Sequence, residues 1–414
     1  MCGFVTSGSS LTCDGVSLSE IAAAAGTPVY VYSAAVIRDR VNAFRAAFGS
    51  YPHAIHYALK ANSNLAVVRV VRAVGGLVDA NSGGEIELAL RAGFTPQDIV
   101  FTGVGKTPAE IDQAVGLGVK AINAESAGEL DRVAVASQQH KKTSRVALRI
   151  NPDIAADSHP HISTGLNTHK FGVPISDARR ILREANAKAG LSVAGLHVHV
   201  GSQLVGLGPM RQAAEAVVAL AGELRDDGVV VEYLDLGGGL GISYEGELVP
   251  SASAYAAALM EVVKPSGLTL IIEPGRAIVG PAGALLTSVV DVKPRLQEDW
   301  FVVLDAGMSE LVRPALYGAY HRIIPVEKSN DDQVMCDVVG PICESSDVFG
   351  VGRPLPRPRV GTVMAVLDVG AYGSAMSSNY NRHALPAEVI VDDGDWRIVR
   401  RRQTMDDQLA CEQG

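Results

Sequence analysis

The chain has 414 residues, 47% hydrophobic and 20% charged, with a net charge of −9. That length exceeds what one compact core usually holds, so two domains are expected, and the chain is too apolar to be disordered. The acidic balance argues against nucleic-acid binding, which rests on a basic face.

The cysteines Cys2, Cys13, Cys336, Cys343 and Cys411 are odd in number and dispersed, with no CxxC pair. This pattern excludes a disulfide framework and a zinc knuckle, and fits the reducing cytoplasm. The first 25 residues lack a basic start followed by an apolar run, so no secretory leader is expected. No apolar stretch of about 18 residues is present, so no membrane partner is expected either.

In chain order, PVYVYS (28–33) is the first clear strand. Eight more follow: HAIHYALK (53–60), GLVDANS (76–82), DIVFTG (98–103), KAINAES (120–126), RVALRIN (145–151), GLHVHVGSQ (195–203), YLDLGGG (233–239) and TLIIEPG (269–275). Each is nearly continuous in apolar residues, as strands covered on both faces are. Between them lie amphipathic segments such as LAVVRVVRAVG (65–75), GEIELALRAG (84–93) and ISDARRILREANAKAG (175–190), several ending at glycine. Eight strand–helix alternations predict an α/β fold, a (β/α)8 TIM-type barrel, with an open doubly wound sheet as the rival. After Arg276 the rhythm changes to short strands and turns, including TSVVDVKP, WFVVLDAG, VMCDVVGP, TVMAVLDVGAY, AEVIVDDG and WRIVRRR. These predict a second, mostly antiparallel β domain. The barrel is placed at residues 27–277, and residues 1–26 with 278–414 form the β domain.

In such barrels functional groups gather at the C-terminal ends of the strands. Those ends carry Lys60, Asp79, Arg149, His199 with Ser202, the run Gly237-Gly238-Gly239-Leu240-Gly241, and Glu273-Pro274-Gly275-Arg276. Phosphate sites commonly follow strands seven and eight, and glycine lets backbone N–H groups approach an anion. A phosphorylated ligand is therefore expected near Gly238–Gly241, against the competing reading of a tight strand–helix turn. Ile242 rules out a dinucleotide fingerprint, and Val100 rules out a P-loop at GVGKT (103–107). A lysine at the inner end of a buried strand is desolvated and so primed for Schiff-base chemistry, which singles out Lys60. Glu273 would hold a pyridine nitrogen protonated if the ligand were pyridoxal phosphate (PLP), and His199 would stack on the ring. A Glu273–Arg276 ion pair and a core histidine are the bland alternatives. Cys343-Glu344 in GPICESSD is either a buried structural pair or a proton donor and its neighbour. Arg313 and Tyr317 suit a carboxylate if they face a pocket. The histidines of HPH (159–161) and His169 lack carboxylate or cysteine partners at metal-ligand spacing, so no metal site is assigned.

HYALKANSN, HVGSQ, LDLGGGLGI, EPGR, DAGMSELVRPALYGAYH, GPICESSD and GAYG, with NPDIAADSHPHISTGLNTHKFGV and YNRHALPAEVIV, resemble diaminopimelate decarboxylases in the same order. The resemblance runs from about residue 25 to 405 and implies an alanine-racemase-type barrel plus a β domain. It implies PLP as cofactor, an amino-acid substrate and a homodimer with shared active sites. By match, Lys60 binds PLP covalently. His199 stacks on it, Ser202, Gly238, Gly239, Gly241 and Tyr372 lie at the phosphate, and Glu273, Pro274, Gly275 and Arg276 line the cofactor. Arg276, Arg313, Tyr317, Glu344 and Tyr372 resemble substrate-binding residues, and Cys343 resembles a proton donor supplied by the partner subunit. Ser346 stands where the family commonly has glycine, and MCGFVTSGSSLTCDG matches poorly. Ornithine, arginine and carboxynorspermidine decarboxylases, and a catalytically silent PLP-binding homologue, are the alternatives on the same fold.

Overall fold

The structure is a computed structural model that describes residues 3–154, 170–294 and 299–412. The chain divides into two compact units. One comprises Asp39–Ile242 and Leu248–Ala277; the other comprises Met1–Arg38, Ser243–Glu247 and Ile278–Gly414.

The first unit is a closed parallel barrel. Its strands are β1 (His53–Ala58), β2 (Leu77–Ala80), β3 (Ile99–Phe101), β4 (Ala121–Ala124), β5 (Ser144–Asn151), β6 (Leu191–Val198), β7 (Tyr233–Asp235) and β8 (Thr269–Ile272). Neighbours in that order pair in parallel, and β8 returns to β1 through Leu270 opposite His53. All eight strands expected from the apolar runs are present, and closure decides against the open sheet. The intervening helices start where the sequence supplies caps: Asn64, Ser82, Thr107, Ser126 and Ser251 each accept a backbone N–H from the first turn. Inside the barrel, Ala121, Ala147, Ala194, Tyr233 and Ile271 form one buried cluster. The Tyr233 ring fits because residue 195 is glycine; a Cβ there would lie 2.4 Å from the ring.

The second unit is built on a mixed sheet in the order 348–356, 333–339, 300–304, 283–294, 29–33, 387–392, 395–400, with strand 363–367 also pairing with 283–294. Most pairs are antiparallel; 300–304 with 333–339 and 29–33 with 387–392 are parallel. One expectation changes here. The strand Val29–Ser33, placed with the barrel by a boundary at residue 27, pairs with Gly283–Leu286 and Ala387–Val391, so residues 27–38 belong to this unit. Its five residues are all buried, so it satisfies both backbone edges and both faces only inside the sheet. The N-terminal residues form their own antiparallel sheet of Phe4–Ser7, Ser10–Cys13 and Val16–Ser17, tied on by a bridge from Ser10 to Glu327. Phe4, Leu11, Leu18 and Ile21 join Val29, Leu286, Val389 and others in one core.

Candidate active site at the C-terminal ends of the barrel strands

Lys60 lies just past β1 in the turn Leu59–Ala61. The turn is fixed on both sides. The buried Tyr57 hydroxyl donates to the Asn62 carbonyl at 2.8 Å, and the Ala58 N–H donates to the Pro274 carbonyl at 3.3 Å. Lys60 itself is exposed, which corrects the expectation that desolvation activates it. What distinguishes it is its electrostatic surroundings. Its charge lowers the pKa of Asp79, Glu85 and Glu273 and disfavours protonation of His199.

Glu273 follows β8 directly and is 5% exposed. Its Oε2 lies 3.4 Å from His197 Nε2, and its Oε1 accepts from the Thr102 hydroxyl at 3.4 Å. Asp235 at the end of β7 accepts from the Gly237 N–H at 3.0 Å and from the Asn123 side-chain amide at 3.3 Å. Asn123 also donates to Thr102 at 3.1 Å. Asp79, Asp235 and Glu273 are thus buried acids in one polar layer, and they cannot all stay ionised at such low dielectric. Burial, then the Glu273 charge, pushes Asp79 up to about 6 and Asp235 well above the carboxylate range. Burial works against Glu273 too, but His197, followed by Lys60 and His199, holds it well below that range. Glu273 is the acid of the layer held most firmly ionised. His197, Asp235 and Glu273 offer ligand atoms within 4.8 Å of one another, all of them buried.

His199 follows β6. Burial, then Lys60 and Arg149, pushes its pKa well below the usual value, so the imidazole is neutral. The Gly238 N–H donates to its Nδ1 at 3.2 Å, which leaves the proton on Nε2.

The glycine run is packed against its neighbours. A Cβ on Gly238 would sit 2.2 Å from the Glu273 carbonyl, and Gly239 has φ +108°, a conformation side chains rarely adopt. The Leu204 N–H donates to the Gly239 carbonyl at 2.9 Å and the Gly241 N–H to the Leu204 carbonyl at 3.0 Å. Two of the amides expected to meet an anion, those of Gly238 and Gly241, are therefore engaged within the protein. Gln203 brackets the run by exchanging hydrogen bonds with the Ile242 backbone at 2.6 and 3.2 Å. Arg276, buried, donates to the Ser202 hydroxyl at 3.2 Å beside that run. A cation, a hydroxyl, a side-chain-free loop, a neutral imidazole and a buried carboxylate suit a phosphorylated pyridine. PLP fits this set on chemistry, with Glu273 as the acceptor for the ring N–H.

Arg149 pairs with Glu125 at 2.8 Å, and the other Glu125 oxygen accepts the Gly172 N–H at 2.7 Å. Lys106 of GVGKT is a structural cation. It is buried and donates to Glu129, the Gly103 carbonyl and the Asn123 carbonyl at 2.6, 2.8 and 2.7 Å, which uses all three of its N–H groups. HPH and His169 lie outside the described residues.

The remaining expected residues belong to the second unit. Arg313 is buried at the start of a short helix, Arg313–Tyr317, and Tyr317 is half-buried at its end. Tyr372 is half-buried with φ +57°. Cys343 and Glu344 are exposed, which removes the reading of Cys343 as a buried structural cysteine. Their loop is folded around Asp347, whose carboxylate accepts from the Met308 and Ile342 N–H groups at 2.6 and 2.8 Å. Ser346 is exposed in that loop and its hydroxyl points to Met308 Sδ at 3.8 Å.

Sequence reading did not find His197, Asp235, Asn123, Thr102 or Glu85 as members of the polar layer or its edge. For four of them the signal was present: His197, Asp235, Asn123 and Thr102 are polar residues set in or just after an otherwise apolar strand, whereas Glu85 sits in the first turn of the helix Gly83–Ala92. Glu85 shows a measurable consequence. Burial, opposed by hydrogen bonding from Asn81, pushes it up to about 7. Glu85 thus binds its proton more tightly folded than unfolded. The stability this adds is full below about 4.5 and is lost as pH rises through about 7. In cofactor-free protein, Glu85→Gln should therefore gain roughly 1–3 kcal/mol more over the parent at pH 8 than at pH 5 by urea unfolding. An equal difference at both pH values would contradict the shift.

Residues 34–280 match the family model for the pyridoxal-dependent decarboxylase, pyridoxal binding domain. A diaminopimelate decarboxylase of Neisseria meningitidis serogroup A is 43% identical over 402 residues, covering 97% of this chain and 98% of the relative. One of Aquifex aeolicus is 42% identical over 395 residues, covering 95% and 93%. Among solved structures, a Helicobacter pylori diaminopimelate decarboxylase complexed with L-lysine superposes with a TM-score of 0.92 at 38% identity, covering 95% of this chain and 98% of that one. The M. jannaschii enzyme with L-lysine gives 0.94 at 34% identity, covering 100% and 99%. Barrel, polar layer and full-length similarity agree: the chain belongs to the diaminopimelate decarboxylase family of pyridoxal-dependent decarboxylases.

Proposed function

We propose that this protein decarboxylates meso-2,6-diaminopimelate to L-lysine and CO2, the last step of lysine biosynthesis, with PLP as cofactor. The observation that carries the reading is the buried Glu273 carboxylate, 3.4 Å from His197 and held ionised beside a protonated Asp235, at the barrel end that also carries Lys60. When bound, PLP supplies an electron sink for the pair left when the Cα–carboxylate bond breaks. Lys60 would hold the cofactor covalently through its amine. Glu273 would keep the ring nitrogen protonated, and the neutral His199 would support the ring. Ser202 and Tyr372 would hold the phosphate against the Gly238, Gly239 and Gly241 loop, whose lack of side chains leaves room for it, and Pro274 and Gly275 would line the cofactor. Arg276 and Arg313 grip the carboxylate that is kept, with Tyr317, Glu344 and Tyr372 beside the substrate. The L-lysine carried by the two related structures is the expected product. Cys343, in a cytoplasmic homodimer where it comes from the partner subunit, returns a proton to Cα; its exposure supports that role.

Purified holoenzyme should release CO2 from meso-diaminopimelate and be near inactive on ornithine, arginine and carboxynorspermidine. Preferred turnover of any of the latter three would replace the substrate assignment, and no release from any would support a silent homologue. Cys343→Ala should keep bound PLP while turnover falls roughly 10²–10³-fold, the usual worth of a positioned proton donor. Near-normal turnover would remove Cys343 from the mechanism.

A further inference from the structure

Within the second unit, the Arg313 guanidinium donates from Nη1 to His321 Nε2 at 2.7 Å, and both side chains are buried. A guanidinium only donates, so Nε2 accepts with a lone pair. The other ring nitrogen, Nδ1, lies 3.0 Å from the Leu367 carbonyl oxygen, which only accepts. Nδ1 therefore carries the proton, and the ring between these two partners is neutral and held in one tautomer. Tyr244 completes the support. Its ring meets the imidazole edge-on at 5.2 Å and 81°, and lies 5.0 Å from Arg313 Cζ. The Leu367 carbonyl is at the end of strand 363–367, and Ile323, two residues past His321, pairs with Val366 of that strand, so the imidazole is anchored to the sheet.

We propose that His321 is a positioning residue for substrate selection: it fixes Arg313 through a neutral acceptor, so this contact orients the guanidinium without cancelling the charge that binds the retained carboxylate. The inference rests on the reading of Arg313 as a carboxylate-binding residue. A carboxylate in the place of His321 would fix the same nitrogen but pair with its charge. Tyr244 adds an aromatic wall, which favours a cation beside it without offering a competing anion.

The test is the affinity of holoenzyme for L-lysine and for cadaverine, which is L-lysine without its carboxylate, measured by inhibition and by the cofactor's absorbance. His321→Gln keeps a neutral acceptor and should hold L-lysine within about threefold of the parent. His321→Glu and His321→Leu should each weaken L-lysine by about tenfold or more, while cadaverine changes less than about twofold. Weakening of both ligands alike in soluble His321 variants, or parental L-lysine affinity in His321→Glu, would overturn the proposal. Arg313→Ala separates the two layers of the argument. If it leaves the L-lysine to cadaverine ratio unchanged, the reading of Arg313 is wrong. If it collapses that ratio while His321→Glu and His321→Leu do not, only the role of His321 is wrong. Tyr244→Leu should weaken L-lysine selectively even if a His321 variant is insoluble, and an unchanged ratio there would count against the proposal.

Discussion

Lys60→Ala is expected to give a folded protein without the visible absorbance of bound cofactor and with turnover reduced on the order of 10⁴-fold or more. The loss should be chemical rather than structural. Lys60 is exposed, and its turn is fixed by Tyr57 and by the Ala58–Pro274 backbone hydrogen bond, neither of which uses its side chain. Unfolding free energy should therefore change by about 0.5 kcal/mol or less from packing. A secondary effect follows from charge. With the lysine gone, Asp79, Glu85 and Glu273 lose a cation that favours their ionised forms. Activity partly restored by added small amines would fit the removal of an amine; an unaltered spectrum would mean that another lysine binds the cofactor.

Glu273→Gln should lower kcat roughly 10²–10³-fold while PLP remains bound. Glutamine matches the shape of glutamate and still accepts from Thr102, so the barrel layer stays filled. It supplies no negative charge, and His197 at 3.4 Å then faces a neutral amide. The ring proton is no longer stabilised by an anion, and the electron pair released with CO2 has a weaker sink. Turnover within about threefold of the parent would show that the Glu273 charge is not used. Asp235, by contrast, is held protonated by burial and by Glu273, so its amide counterpart disturbs no charge at that position.

The parts of this fold that were legible share one physical trait. The barrel strands are doubly covered, so their sequences are continuous apolar runs, and four of the eight lead into the site: at Lys60, His199, the glycine run and Glu273. The strand Val348–Pro356 was not foreseen, because Gly350, Gly352, Arg353 and Pro354 break the apolar pattern along an edge strand exposed at several positions. The boundary at residue 27 failed for a related reason. Val29–Ser33 has the same apolar character as the barrel strands, and only its partners at 283–286 and 387–391 reveal which sheet it joins. For the site, the position of Lys60 was readable but not its exposure, which depends on how the turn Leu59–Ala61 leaves the barrel. The members of the acid layer stand out as polar residues in apolar strands, but their meeting does not, because His197, Asn123 and Asp235 are far apart in sequence and come together only when the barrel closes.

Borohydride reduction of the holoenzyme, followed by peptide mass analysis, tests the arrangement at its root. The peptide containing HYALKANSN should carry the phosphopyridoxyl mass on Lys60 in near-stoichiometric yield. The same label on a different lysine, or no label on a protein that decarboxylates meso-diaminopimelate, would contradict it.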